Sequence, residues 1–341
     1  WVMPNADAAG YYRWSMPADG LARLMGAGWS HLTERERLSV ADDLTAAYAA
    51  GTADGPTVFG ALARFASDDS RDVAEAPMGL VDFARFELAG TDLERASVAR
   101  FGERLYREQA RRLGWGPRRG RSEDGEVGLR RRSILSFWSH TARSAPTRRE
   151  AAERGRRYLG DDGRLHPDAV ESNLVELVLE VAVQEGDAAF FDLLLERVLS
   201  SDDALFRSQG LSALGATRDP ELSLRALALA RDERIRVNEV TTTLSTQLGM
   251  NETRDAAWAW MREHFDEVFA RDATTRAGYA PWHAAGFCTE ERAAEVDGFF
   301  RGRIEELPGG PRNLAGALEA IRLCAARVEA QRESTLRFFA R

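Results

Sequence analysis

Histidines at metal-ligand spacing would be the first sign of chemistry in this chain. The five histidines are His31, His140, His166, His264 and His283. No two of them are four positions apart, so no helix carries the H-E-x-x-H pattern, in which two imidazoles hold zinc and a glutamate activates water. His31 and Glu34 have ligand-capable spacing on a helix start, but one pair is an incomplete site. The sequence therefore predicts neither a metal site nor a catalytic residue.

The nucleophilic side chains likewise predict no catalytic residue. Ser208, Ser212 and Ser245 lie in helical sequence without the G-x-S-x-G elbow of serine hydrolases. The two cysteines, Cys288 and Cys324, are far apart in sequence, and neither has a basic neighbour that would activate it. We expect buried free thiols in a reducing compartment, with a disulfide as the alternative.

Composition indicates a globular protein. The 341 residues are 44% hydrophobic and 29% charged, and no apolar run is long enough to span a membrane. The net charge of −8 argues against nucleic-acid binding. All basic residues are arginines, which suggests the codon usage of a GC-rich bacterial genome. Arginines cluster between Arg111 and Arg132, and we expect a solvated, flexible glycine-rich loop at 114–126, with a phosphate or nucleic-acid site as the alternative.

Helical signals fill the chain from Pro17 onward. The predicted helices include one over Val73–Leu88, with Pro77 near its first turns, and one over Ile235–Leu248. Thr33 and Glu36 form a capping box, and Asp219 precedes Pro220 as a good N-cap. Helices separated by short polar turns recur as pairs of roughly 35 to 40 residues. We therefore predict an all-α fold, with residues 17–341 forming a HEAT-like or armadillo-like curved helical solenoid.

The first sixteen residues differ from the rest. Val2, Tyr11, Trp14 and Met16 are bulky, and a turn-forming stretch separates the two halves. This pattern predicts a short β hairpin or strand segment. Two strands bury too little surface to be stable alone. Residues 1–16 are therefore expected to link the helices to an upstream β-domain that is missing from this sequence.

Several motifs resemble those of one family and occur in the same order as in that family. The first motif consists of Trp1-Val2, Asn5 and Gly10–Arg13. It resembles the W-(I/V)-x-x-N-x-x-x-x-G-Y-Y-R segment that enters the C-terminal helical domain of the aminopeptidase N family of zinc metallopeptidases. That family includes the endoplasmic-reticulum and puromycin-sensitive aminopeptidases. The later landmarks are Thr33–Leu38, Leu113–Trp115, Arg132–Leu135, Ala257–Met261 with Phe265, and Gly286–Thr289 followed by Glu295-Val296 and Phe299-Phe300.

The resemblance implies a non-catalytic C-terminal domain of a bacterial zinc aminopeptidase. Such a domain would wall the substrate chamber and help to bind and select peptides, while the absent catalytic domain removes the N-terminal residue. The resemblance also implies that this chain holds no cofactor and that zinc is bound in the missing catalytic domain. The expected partners are a peptide substrate and the catalytic domain of the same polypeptide, with no nucleic acid and no membrane; a cytoplasmic location is favoured over a periplasmic one.

The resemblance also suggests substrate-facing residues. In the family, the segment before the F-(S/C)-T motif lies towards the active site, which implies that Trp282 and His283 are nearest the cleft. Gly286 replaces a polar or basic side chain of some members and is expected to leave more room. The turn that supplies an arginine in peptide-length-sensing relatives is Leu248–Asn251 here, without that arginine, which puts reading of the peptide carboxylate in doubt. The weaker inner-face candidates, each equally compatible with an ordinary turn or cap, are Arg207, Asn238, Glu239 and Arg254.

A free-standing helical-repeat scaffold that binds a protein or peptide partner in its concave face is the alternative function. A scaffold would begin with a polar capping helix. The strand-like aromatic residues from Trp1 to Trp14 favour the aminopeptidase domain instead.

Overall fold

A computed structural model describes residues 1–117, 123–271 and 277–340. Within these ranges every regular element is helical, which confirms the all-α prediction, and no helix is both long and apolar enough to cross a bilayer. Three arginines of the basic cluster, Arg118, Arg119 and Arg121, lie outside the described residues. The expected flexible loop at 114–126 therefore stays a prediction.

The chain divides into two compact units. The first comprises Trp1–Thr147 and Ala326–Arg341, and the second comprises Arg148–Ala325. The first eight helices are α1 Ala18–Arg23, α2 Glu34–Ala49, α3 Gly55–Ala66, α4 Arg71–Glu75, α5 Met78–Phe83, α6 Asp92–Leu113, α7 Gly125–His140 and α8 Ala145–Leu159. The others are α9 Val175–Gln184, α10 Ala188–Ser200, α11 Ala204–Gly215, α12 Pro220–Ala228, α13 Thr242–Leu248, α14 Arg254–Arg271, α15 Glu290–Phe300 and α16 Gly310–Phe339. The predicted domain boundary after residue 16 does not coincide with the division into these two units, and it stays a prediction.

Short turns of 3₁₀ or π type connect several helices. They are Ala6–Ala8, Leu24–Gly28, Trp29–His31, Ala84–Leu88, Pro167–Ala169, Ser172–Leu174, Leu229–Arg231, Val237–Glu239 and Ala277–Ala284. The last of these carries two of the predicted site residues.

The predicted N-terminal hairpin is wrong for the chain as described. The Asn5 side chain closes a loop instead, since its Nδ2 donates to the Gly10 carbonyl at 3.0 Å and its Oδ1 accepts from the Gly10 amide at 2.8 Å. Asp7 and Ala8 inside this loop have positive φ angles, and they form a 3₁₀ turn. Residues 11–16 then run without regular secondary structure. A strand needs a partner for its ladder of hydrogen bonds, and these residues pair with no other described segment.

Helix starts follow the local signals in the sequence. The capping box at Thr33 is confirmed: Glu36 accepts from the Thr33 amide at 2.7 Å and also from the Asp7 amide at 3.1 Å, which fixes the N-terminal loop to α2. These backbone bonds, led by the one from Thr33, hold the pKa of Glu36 below its ordinary value. Two predicted long helices are corrected.

The first correction concerns the helix predicted over Val73–Leu88. It is divided into α4 and α5, because Pro77 between them has no amide hydrogen to donate to the preceding turn. The second concerns the helix predicted over Ile235–Leu248, which begins only at Thr242. Here the Glu239 carboxylate accepts from the Arg236 amide at 3.1 Å, and this bond closes a 3₁₀ turn before α13.

In the second unit, alternate helices pack on one another. Helix α11 contacts α9 on one side and α13 on the other, and it also contacts α10. Gly155 and Gly210 permit close approach, because an added Cβ would lie 2.3 Å from the Val178 carbonyl oxygen and 2.2 Å from a Val198 methyl carbon, respectively. This arrangement agrees with stacked helical pairs, but the HEAT-like description of the whole chain stays a prediction.

A disulfide joins Cys288 and Cys324, so the expected free thiols are wrong. Cys288 precedes α15 and Cys324 lies within α16, and the packing of the second unit brings their Cα atoms to 5.0 Å. Both side chains are partly buried. A separation of 36 residues in sequence contains no local signal for this contact.

Candidate functional site

Trp282 is an exposed aromatic residue held by α16. It lies on the 3₁₀ helix Ala277–Ala284, and 45% of its surface is exposed. Its indole Nε1 donates to Asn313 Oδ1 at 3.1 Å, and Asn313 Nδ2 donates back to the Gly278 carbonyl at 2.8 Å. A Cβ at Gly316 would lie only 2.8 Å from the indole ring, so the absence of a side chain there lets the ring lie against α16. The ring is therefore positioned, with nearly half of its surface open to a ligand.

His283, the next residue, is a neutral imidazole in a defined tautomer. Its Nδ1 lies 3.3 Å from Ser245 Oγ, whose own hydrogen is donated to the Thr241 carbonyl at 2.7 Å. Nδ1 must therefore donate to Ser245, and Nε2 is left as an acceptor. Burial lowers the pKa of His283 to about 4, so the ring is uncharged at neutral pH. Within the described ranges, Nε2 accepts no hydrogen bond.

Arg254 fills the space beside Gly286. Its guanidinium donates to the Gly286 carbonyl at 2.6 Å, to the Leu248 carbonyl at 3.1 Å and to Asn251 Oδ1 at 2.8 Å. It would lie 3.6 Å from a Cβ at Gly286. The guanidinium therefore lies at van der Waals distance from the position where a side chain at residue 286 would begin, and the extra room expected there stays a prediction. The same guanidinium lies 5.9 Å from the centre of the Phe287 ring.

Arg207 and Glu239 form a buried ion pair. Arg207 has 2% of its surface exposed, and Glu239 has 6%. Arg207 Nη2 lies 2.6 Å from Glu239 Oε2, its Nε lies 2.8 Å from Oε1, and Nη1 donates to the Val198 carbonyl at 2.8 Å. Burial by itself would raise the pKa of Glu239, but the bonds from Arg207 and the Arg236 amide outweigh it and hold that pKa below its ordinary value.

These two residues connect helices inside the second unit and are closed to a peptide in this conformation. Asn238 precedes Glu239 on the 3₁₀ turn Val237–Glu239, and its side chain is exposed. The predicted set therefore separates into a buried pair, the exposed Asn238, and four residues that lie in or contact the segment 282–286. We call these four residues, Trp282, His283, Gly286 and Arg254, the Trp282 surface; Trp282 and Gly286 are exposed, whereas His283 and Arg254 are partly buried.

Two residues that position this surface were not found from the sequence. Ser245 selects the tautomer of His283 from 38 positions away, and Asn313 anchors Trp282 from 31 positions away. Serine and asparagine are common in turns and helix starts, and nothing in their local context distinguishes these two. Only the packing of α13 and α16 against the 3₁₀ helix Ala277–Ala284 identifies them.

The elements of the described residues define an all-α domain. Residues 1–323 match the model of the ERAP1-like C-terminal domain. The chain therefore belongs to the ERAP1-like C-terminal domain family.

Two curated rice proteins (Oryza sativa subsp. japonica) are similar over almost the whole chain. Aminopeptidase M1-B is 24% identical over 344 residues, which cover 97% of this chain and 38% of the rice protein. Aminopeptidase M1-D is 22% identical over 331 residues, which cover 95% of this chain and 37% of the rice protein. The chain thus spans less than two-fifths of the length of these relatives.

Proposed function

We propose that this chain is the C-terminal helical domain of a bacterial zinc aminopeptidase, and that it walls the chamber in which the enzyme holds its peptide. The observation that carries the proposal is the family match over residues 1–323, together with relatives that are named aminopeptidases. The zinc and the catalytic glutamate would belong to a separate catalytic domain, because no two histidines here are four positions apart. Residues 1–16 would lead from an upstream β-domain into the helices.

The Trp282 surface would contact the part of the peptide that lies away from the cleaved bond. The exposed indole offers apolar contact to a peptide side chain. The neutral His283 can accept a hydrogen bond from a peptide amide at Nε2, because Nδ1 is used by Ser245. The bonds from Arg254 to the Gly286 and Leu248 carbonyls and to Asn251 support the segment that precedes Phe287. The surface therefore binds and orients the substrate, and the chemistry takes place elsewhere.

The disulfide supports a proposal about the compartment. A bond between Cys288 and Cys324 persists in oxidising surroundings such as a periplasm. It therefore favours such a compartment over the cytoplasmic location predicted from the sequence.

The first test compares hydrolysis of a panel of aminoacyl-7-amido-4-methylcoumarins, with zinc added, by this chain and by the full-length product of the same gene. We expect activity only from the full-length protein. Activity of the chain alone would refute the proposal, because it would place a catalytic site within this chain. Inactivity of both would favour the alternative, a helical scaffold that binds a protein partner.

The second test asks whether the Trp282 surface contacts the peptide. In the full-length enzyme, Trp282→Ala should raise the KM for long peptides by about tenfold and leave the KM for short aminoacyl substrates unchanged. Tyr279→Ala is a matched control, since Tyr279 is exposed on the same 3₁₀ helix. Equal effects of the two substitutions, or an equal effect on short and long substrates, would exclude this role for Trp282.

A further inference from the structure

A cavity of about 580 Å³ lies in the first unit between the N-terminal loop and α2. Its walls include Tyr11 and Tyr12 from the N-terminal segment and Leu38 from α2. This volume is within the range of about 300 to 1,000 Å³ that is usual for small-molecule sites. Its charged lining residues are two arginines, Arg13 and Arg35, and two aspartates, Asp42 and Asp43.

Asp43 is the unusual member of this lining. Only 3% of the residue is exposed, and its Oδ1 is shielded from solvent and accepts no hydrogen bond. Oδ2 accepts one long bond from Ser39 Oγ at 3.3 Å. A buried carboxylate oxygen without a donor is costly, because it has lost its water without replacement. The site therefore lacks a donor beside Asp43.

The nearest cation does not supply this donor. Arg13 Nη1 lies 3.5 Å from Asp43 Oδ1, which is an ion pair without a hydrogen bond, and 65% of the Arg13 side chain is exposed. An exposed, stretched pair of this kind contributes little. A molecule with a positive and a negative group close together could enter between the two residues. It would then replace one stretched pair by two hydrogen-bonded ones.

We propose that this cavity binds a zwitterionic α-amino acid. Its ammonium donates to Asp43, its carboxylate accepts from Arg13, and its side chain lies against Tyr11 and Tyr12. Tyr12 is fixed for this purpose, because its hydroxyl donates to the Pro4 carbonyl at 2.7 Å. The balanced charge of the lining favours a zwitterion over a simple cation or anion. Binding does not depend on the proposed function, although an aminopeptidase would release such an amino acid at each turnover.

The test is calorimetric titration of the 341-residue chain with L-leucine, L-leucinamide and N-acetyl-L-leucine. We expect leucine to bind with a dissociation constant of about 1 mM or below, and each blocked analogue to bind about tenfold or more weakly. The amide lacks the carboxylate and the acetyl compound lacks the ammonium. Absence of heat with leucine at about 20 mM would overturn the proposal, as would equal binding of leucine and leucinamide.

Variants locate the site. Asp43→Asn and Arg13→Gln should each weaken leucine binding about tenfold or more. Arg23→Gln is the matched control, because the Arg23 side chain is 61% exposed, pairs with Asp19 in the same unit and does not line the cavity. If Asp43→Asn alters the circular dichroism spectrum, Arg13→Gln decides alone, since its side chain is mostly exposed. Unchanged binding in Arg13→Gln would refute the assignment.

A second outcome would identify a different occupant. The same calorimetric cell is titrated with hexa-arginine, as a probe for insertion of a basic polypeptide side chain at Asp43. Binding of this peptide without binding of leucine would mean that the cavity receives a protein segment, and the amino-acid site would be excluded.

Discussion

Removal of the Cys288–Cys324 disulfide should destabilise the second unit by a large and calculable amount. The two cysteines are 36 residues apart. In the chain-entropy model, release of a loop of this length raises the entropy of the unfolded chain by the equivalent of about 4 kcal/mol at 25 °C. Measured values for native disulfides are typically about 2 to 4 kcal/mol. We therefore expect a loss of about 2 to 4 kcal/mol in the free energy of unfolding of that unit.

Urea unfolding followed by circular dichroism measures this loss, with and without a phosphine reductant. Both cysteines lie in the second unit, so only the transition that contains this unit should move to lower urea. The Cys288→Ser, Cys324→Ser double variant should unfold like the reduced wild type, and it should not respond to reductant. This variant controls for effects of the reductant on the rest of the chain.

Two results would refute the reasoning. Thiol titration of the urea-unfolded, unreduced chain would find two free thiols if the bond were absent. An unchanged transition after complete reduction would show that the crosslink does not restrict the unfolded state of this unit.

Two further predictions concern the second unit. Arg207→Met should lower the free energy of unfolding in urea by about 3 to 5 kcal/mol, because it leaves Glu239 charged and buried, and the Arg207→Met, Glu239→Leu double variant should recover part of the loss. As a control, Arg231→Met at an exposed ion pair should cost less than about 1 kcal/mol. An equal cost at both sites would contradict the assigned burial. Burial lowers the folded-state pKa of His283 to about 4, against an ordinary value of 6.5, so its contribution to stability is present above pH 6.5 and is lost as the pH falls towards 4. Between pH 7 and pH 5 the wild type should lose about 2 kcal/mol more than His283→Asn, and parallel pH profiles of the two proteins would contradict this.

Local signals in the sequence were sufficient for the helical class and for many helix ends. The capping box at Thr33 and the N-cap at Asp219 appear as predicted, because each depends on contacts within three residues. Pro77 marks the position where the helix predicted over Val73–Leu88 is interrupted, but the prediction did not divide that helix into α4 and α5. The N-terminal hairpin was inferred from side-chain types alone, whereas a strand is defined by its partner.

The candidate site was predictable only in part, because its geometry depends on distant residues. Trp282 and His283 were identified through the family resemblance, and their partners lie 31 and 38 positions away. Arg207 and Glu239 were weaker inner-face candidates, and nothing in the sequence near a charged side chain indicates a buried partner 32 positions away. For the same reason, the disulfide was only the alternative to the expected free thiols.

Helix α16 holds the segment from residue 282 to residue 288 at two points. Asn313 and Gly316 of α16 hold the indole, and Cys324, further along α16, is bonded to Cys288 just beyond Gly286. The segment from residue 282 to residue 288 is therefore tied to α16 at both ends, once by non-covalent contacts and once covalently. A surface held in this way loses less conformational entropy when a ligand binds. Under the proposed function, the neutral His283 and an Arg254 already bonded to the chain would favour apolar and amide contacts with a peptide over recognition of its charge.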